Sequence, residues 1–229
     1  FNEDKTVVVV FNGEIYNYRE LRQELLAGGH RFVTDSDTEV LVHLYEASGL
    51  EMARCLRGMF AFAIWDARLK RLVLGRDHFG VKPLYWGVFK DTLIFASEMK
   101  AVYEHPKFIK NIDPQAIDDL MTLMFIPTPR TVYQGLYKLE SGHLLVAEAA
   151  GTIEKRRFWD HGKHLESARR ERLGDILERL DAKISECVSL ALRSDVPLGV
   201  FLSGGIDSAT IAYYAKRHLS QVDTFSVYF

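Results

Sequence analysis

Two cysteines in 229 residues, Cys55 and Cys187, cannot build a disulfide framework, so a reducing compartment, the cytoplasm, is expected. No apolar run approaches the roughly 20 residues that cross a bilayer. The longest, "VVVVF" and "MFAFAIW", are strand-sized, and no secretory signal pattern opens the sequence. An excess of one charge is also missing: 29 Lys plus Arg against 31 Asp plus Glu leave a formal charge of −2. Such a balance offers no electrostatic footprint for nucleic acid or an anionic membrane. Neither an internal repeat nor a low-complexity tract is present. What remains, 48% hydrophobic and 26% charged residues, is the composition of a globular protein with ample material for a core. Phe1 in place of an initiator methionine and the apolar ending "TFSVYF" lead to the expectation of a piece of a longer protein.

Periodicity divides the chain in two. "KTVVVVF" predicts a strand through Phe11, followed by a helix carrying Tyr18, Leu21 and Leu25 on one face. Asn17 and Glu20 have capping-box spacing and Gly28-Gly29 a stop signal; Ser36 and Glu39 repeat the box before a second helix. Residues 58–96 predict one antiparallel meander of short strands, with Phe60, Phe62, Trp65, Tyr85 and Trp86 as core rather than a base-stacking platform. Short helices are expected over 97–104 and 113–124, the latter capped by Asp113 with Pro114 in its first turn. Strands return after Gly135. The polar stretch "WDHGKHLESA" marks a linker at 159–167, between a first domain (1–158) and a second (168–229). In the second, Leu173, Ile176, Leu177, Leu180, Ile184, Val188 and Ala191 predict a long helix. A strand (197–202), a helix (207–219) and a strand (223–229) then predict a parallel βαβ unit.

The turn inside that unit, "LSGGIDS", places Ser203, Gly204, Gly205, Asp207 and Ser208 where a strand meets a helix. Ligands of parallel sheets bind outside the carboxyl ends of strands, and a helix N-terminus offers unpaired N–H groups to phosphate. Glycines let the backbone approach, serines add hydroxyls, and Asp207 could hold a magnesium ion between phosphates. From residue types alone, a merely capped tight turn is an equal alternative. The ordinary P-loop is excluded, because no lysine follows the glycines.

The whole string resembles the pyrophosphatase loop of the ATP pyrophosphatase family, which cleaves ATP between its α and β phosphates to adenylate a carboxylate. The resemblance implies ATP contacts at Leu202, Ser203, Gly204, Gly205, Asp207, Ser208 and Val227, with Tyr228 a departure where glycine is usual. Upstream, "FNGEIYNY" (11–18), "SDTE" (36–39), "GMFAFAIWD" (58–66), "RDHFGVKPLYW" (76–86) and "FASEMKA" (95–101) resemble, in order, the glutamine-hydrolysing domain of class II amidotransferases. Together the two halves are similar to the glutamine-hydrolysing asparagine synthetases. That resemblance implies an α+β N-terminal-nucleophile sandwich, truncated at its N-terminus, followed by the beginning of an α/β parallel-sheet PP-loop domain. It implies an oxyanion hole from the Asn12 side chain and the Gly13 N–H, a glutamine pocket lined by Glu14, and Asp37 binding the substrate α-amino group. The small-molecule partners implied are glutamine, ATP with Mg²⁺, and aspartate or another carboxylate, with no nucleic acid or membrane partner; a homo-oligomer is left open.

The family's nucleophile, an N-terminal cysteine, has no counterpart here, since residue 1 is Phe1. Cys55 and Cys187 are expected to be core residues rather than substitutes. His161 and His164 lack partners at zinc-ligand spacing, and Asp118 and Asp119 adjoin on a helix and face different ways. The expected activity of the parent protein is amidation of aspartate with glutamine nitrogen, neither half-reaction being complete in these residues. Amidation of a different carboxylate, or a non-catalytic relative, are the rival readings.

Overall fold

The computed structural model describes residues 1–165 and 171–227 of the chain. It divides into two units, Phe1–His164 and Leu165–Phe229. Residues 166–167 of the expected linker, and Tyr228, lie outside the described residues.

The first unit is layered. Strands β1 (Val7–Ile15), β2 (Gly58–Asp66), β3 (Arg71–Arg76), β7 (His143–Glu148) and β8 (Ile153–Arg157) form one antiparallel sheet in the order β1-β2-β3-β7-β8. Strands β4 (Tyr85–Phe89), β5 (Thr92–Ala96) and β6 (Leu136–Lys138) form a second, in the order β5-β4-β6. Helices α1 (Tyr18–Ala27), α2 (Asp37–Ser48) and α3 (Met52–Cys55) cover the large sheet, while α4 (Met99–Tyr103) packs on the small one. Helices α5 (Pro114–Leu123) and α6 (Gly162–Leu165) complete the unit.

Alternation along β2 explains the layering. Phe60, Phe62 and Ile64 join the helix-side core with Leu21, Leu25, Val40, Leu41 and Val42. Ala61 and Ala63 face the other way, into a core shared with Leu84, Trp86, Leu93, Phe95 and Leu139 of the small-sheet region. Small residues on that face let the two sheets approach. The architecture is the expected α+β sandwich, but the predicted single meander is in fact divided between two sheets. Trp65, expected in the core, is 40% exposed near the end of β2.

Asp77 and Arg76 build the crossover between sheets. The buried Asp77 carboxylate accepts four backbone N–H groups, from Phe60 (3.2 Å), Phe79 (3.1 Å), Val81 (3.0 Å) and Lys82 (3.0 Å). Arg76 donates to three carbonyls, of Gly80 (2.7 Å), Lys82 (2.8 Å) and Leu139 (2.6 Å). One side chain thus satisfies the donors and its neighbour the acceptors of a turn that has no strand partner of its own. The quoted string "RDHFGVKPLYW" carried no sequence signal for this role.

Beside them His78 meets Phe60, Phe158 and Trp159 edge-on, and burial lowers its pKa from the ordinary 6.5 despite the nearby Asp77 charge. The unfolded chain therefore takes up this proton first as pH falls. The stability His78 contributes is present above about pH 6.5 and is lost as pH descends through the folded-state pKa. Urea midpoints measured at pH 7.5 and 5.5 should fall less steeply for His78→Gln than for the parent chain; equal slopes would refute the assignment.

Helix ends agree with the sequence in part. Gly28-Gly29 ends α1, Asp113 caps α5 by accepting from the Gln115 N–H, and Ser36 caps α2 through the Thr38 N–H. Asn17 does not cap α1. Its amide instead donates to the Cys55 carbonyl (2.9 Å) and accepts from the Arg57 N–H (2.8 Å). Glu39 does not return to Ser36 but accepts from the N–H groups of Val33 and Thr34. A nearby loop that lacks partners outcompetes the helix's own first turn in both cases. Cys55 is exposed, since α3 buries Met52 and Ala53 instead.

In the second unit, α7 (Leu173–Ala191) precedes β9 (Gly199–Phe201), α8 (Ile206–His218) and β10 (Asp223–Phe225), and β9 and β10 pair in parallel as expected. Ile184, Val188 and Leu192 of the α7 region pack with Tyr214, Ala215, Val200 and Val222. Cys187 turns about 100° from Val188 on that helix and is exposed, contrary to expectation. No helix among the described residues is long and apolar enough to cross a membrane.

Candidate functional site

In the first unit the candidate residues gather at the end of β1. The strand does not stop at Phe11 as expected: β1 runs on through Ile15, pairing Asn12 with Ala61, Gly13 with Phe60 and Glu14 with Met59. The turn comes at Tyr16-Asn17. Asn-Gly looked like a turn because glycine favours one, but here Gly13 serves a close approach. A Cβ at this position would lie 2.1 Å from the Met59 carbonyl oxygen, and φ is +154°.

β1 is an edge strand, and alternation assigns its groups. The Tyr16 N–H donates inward to the Arg57 carbonyl (2.8 Å). The Ile15 N–H therefore points outward, where the half-buried Asp37 carboxylate accepts it at 2.9 Å. Gly13 shares the parity of Ile15, so its N–H faces the same open edge. Val7, Val9, Phe11 and Ile15 face the helix-side core, which leaves Asn12 and Glu14 together on the opposite face. Glu14 is exposed. Burial first, then the charges of Glu14 and Asp77, hold the Tyr16 hydroxyl above its ordinary pKa. Asp37 itself opens α2, with Ser36 as cap. Asn12, Gly13 and Glu14 thus follow one another at the end of β1, and Asp37 reaches the edge of the same strand through the Ile15 N–H.

In the second unit the loop Leu202–Gly205 delivers the N-terminus of α8. The Ser203 N–H donates to Ser208 Oγ (3.2 Å), the two hydroxyls lie 3.1 Å apart, and Ser208 Oγ donates to the Gly205 carbonyl (3.0 Å). The serines brace the loop, and Gly205, the N-cap, receives no side-chain cap. Gly204 has φ +82° with open space where a Cβ would stand, whereas Gly205 has an ordinary extended backbone at φ −80°. Only the first glycine is conformationally required. The Leu202 N–H bonds the Phe225 carbonyl (2.8 Å) and Ser226 Oγ donates to the Leu202 carbonyl (2.6 Å), which brings the ends of β9 and β10 together. Asp207 is exposed in the first turn of α8 and Val227 is 75% exposed beyond β10.

Comparison with known proteins agrees with this division. Residues 1–159 match the family described as "Glutamine amidotransferase domain", and residues 179–229 match "Asparagine synthase". Asparagine synthetase [glutamine-hydrolyzing] 1 of Bacillus subtilis (strain 168) is 42% identical over 99% of this chain and 35% of its own length. Asparagine synthetase [glutamine-hydrolyzing] 2 of the same organism is 38% identical over 99% of this chain and 31% of its own. The chain thus spans about a third of the length of these curated relatives. A solved glutamine phosphoribosylpyrophosphate amidotransferase from B. subtilis aligns over 99% of this chain and 47% of its own, at 21% identity and a TM-score of 0.49. By the match over 1–159, the chain belongs to the glutamine amidotransferase domain family, and residues 179–229 are similar to the family described as "Asparagine synthase".

Proposed function

We propose that the protein containing this chain amidates a carboxylic acid, aspartate foremost, with nitrogen from glutamine and energy from ATP. The observation that carries this reading is the presence on one polypeptide of two different chemistries at two strand ends. One is an outward backbone N–H with a side-chain amide and two carboxylates; the other is a braced turn at a helix N-terminus.

In the first reaction glutamine is hydrolysed to glutamate and ammonia. The Gly13 N–H and the Asn12 amide are suited to stabilise the oxyanion that develops on the glutamine carboxamide. Asp37 binds the α-ammonium of glutamine with the oxygen that does not hold Ile15, and Glu14 lines the pocket. In the second reaction the acceptor carboxylate displaces pyrophosphate from ATP to give an acyl-adenylate, and ammonia then displaces AMP to give the amide. Adenylation supplies the leaving group that a bare carboxylate lacks. The N–H groups at the start of α8, with Ser203, Gly204, Gly205 and Ser208, suit the phosphates, and Leu202 and Val227 suit the nucleoside. The donors here are oxygen only, one carboxylate among hydroxyls, a set that fits magnesium. Asp207 would hold the ion, whose charge offsets that of the phosphates.

Pyrophosphate release by the full-length protein, with ATP and magnesium across a panel of carboxylic acids, tests this reading. Release with aspartate alone is the expected result. Release only with another acid would retain the mechanism and change the product, and silence with every acid would overturn the proposal.

A further inference from the structure

A second constellation lies on α2, two turns beyond Asp37. His43 is 1% exposed, and its Nδ1 stands 3.3 Å from Glu46 Oε2, one helical turn away. His30, in the turn that follows α1, places its Nδ1 3.8 Å from the same oxygen. Glu3, ahead of β1, brings Oε2 to 3.9 Å from His43 Nδ1. Donor atoms of His30, His43 and Glu46 all fall within 4.8 Å of one another, the one such group among the described residues.

We propose that His30, His43 and Glu46, with Glu3 as fourth donor, form a closed binding site for one divalent transition ion of the zinc type. Two imidazoles and two carboxylates are the donors such an ion accepts. In a tetrahedron with bonds of about 2.0–2.1 Å, ligand atoms lie about 3.3 Å apart. His43 and Glu46 already meet that separation, and the His30–Glu46 and Glu3–His43 pairs reach it by closing about half an ångström.

The surroundings supply what such a site needs outside its ligands. Glu46 Oε1 is held by the amide of the buried Asn2 (2.7 Å) and faces Arg68 at 3.5 Å, which leaves Oε2 for the ion. The Phe32 ring packs 4.5 Å from the His43 ring and the His30 ring 5.1 Å from it, so one side is walled off from water. Most telling is the other nitrogen of His43. Nε2 is buried with no hydrogen-bond partner, and Glu39 Oε1 lies 3.7 Å away. A buried, unsatisfied ring nitrogen is costly. An ion on Nδ1 puts the proton on Nε2, facing a carboxylate, which is the usual outer partner of a ligating histidine. The ion would fasten the segment before β1 and the turn after α1 onto α2, the helix that Asp37 begins.

Titration of the chelator-stripped 229-residue chain with Zn²⁺ and with Co²⁺ tests the proposal. One ion per chain, bound with a micromolar or tighter dissociation constant and raising the melting temperature, is expected. His30→Ala and Glu46→Gln should each weaken binding at least tenfold. His30 lies in a turn, so its replacement should leave the circular dichroism spectrum unchanged. Should either variant fail to fold, the Co²⁺ spectrum of the parent chain decides. Visible bands of a tetrahedral nitrogen–oxygen site support the assignment, and an intense thiolate charge-transfer band places the ion on Cys55 or Cys187 and overturns it. Absence of micromolar binding, or equal binding by folded variants, overturns it as well.

Discussion

Asp77→Ala should cost the first unit about 4 kcal/mol, a large share of the roughly 5–15 kcal/mol that holds a domain folded. The side chain is 1% exposed and accepts from Phe60, Phe79, Val81 and Lys82 at once. Each hydrogen bond to a charged acceptor contributes about 1.5–3 kcal/mol, and buried donors left without a partner add their desolvation penalty. Four such losses do not sum, since the turn relaxes towards water, and large single-site effects lie near 4–5 kcal/mol. The arrangement is also a crossover: it joins Phe60 of the large sheet to the turn that leads into the small one, so its failure separates the two sheets. Asp77→Asn keeps one accepting oxygen and presents an amide to the donors on the other side, and should lose about half as much. Asp91→Ala, which removes an exposed carboxylate, should leave the urea midpoint unchanged. A loss for Asp77→Ala below about 1 kcal/mol would remove this residue from the account of the fold.

Gly13→Ala should be nearly as damaging to stability and more damaging to glutamine hydrolysis by the full-length protein. The added methyl would sit 2.1 Å from the Met59 carbonyl oxygen and 2.7 Å from the Phe60 Cα, both backbone atoms of the paired strand. No rotamer change relieves such a contact; β1 or β2 must move. A strained backbone site costs about 1–3 kcal/mol, and the displaced ladder adds to it, for an expected loss of about 3 kcal/mol. Gly29→Ala is the comparison that separates the causes. Its φ of +94° is also unfavourable to alanine, but nothing lies within 4 Å of the new methyl, so its loss should be about 1 kcal/mol. Equal losses at the two positions would mean that conformation, not contact, is the penalty at Gly13. On the reading proposed here the shift also carries the Gly13 N–H away from the developing oxyanion, so glutamate release should fall by at least a hundredfold.

How legible was the site before the structure? Ser203, Gly204 and Ser208 could be placed at the strand-to-helix turn because the apolar strand and the following helix announce themselves. The bracing of Ser203 by Ser208 could not, since the two bond only once the turn is closed. Asp37, next to the Ser36 cap, reaches outside its helix to Ile15. Asn12 and Gly13 stand in the extended end of β1 rather than in a turn. Asn-Gly reads as a turn from its intrinsic preference, whereas pairing with β2 holds it extended, a case of tertiary contact overruling local propensity.

Hydrophobic period and turn chemistry, both local, determined the helices at Leu21–Leu25 and Val40–Tyr45, the strands from Gly58 to Ala96, and the parallel βαβ around α8. A local pattern also marked the second unit's glycine turn between strand and helix. Tertiary structure alone decided which strands share a sheet, that Trp65 and both cysteines face outward, and that Asp77 and Arg76 tie the crossover. It alone brought His30, Glu3 and α2 together. Each of these depends on which surfaces and polar groups meet across long stretches of chain. A burial pattern says that a face is covered, and only the assembled layers say by what.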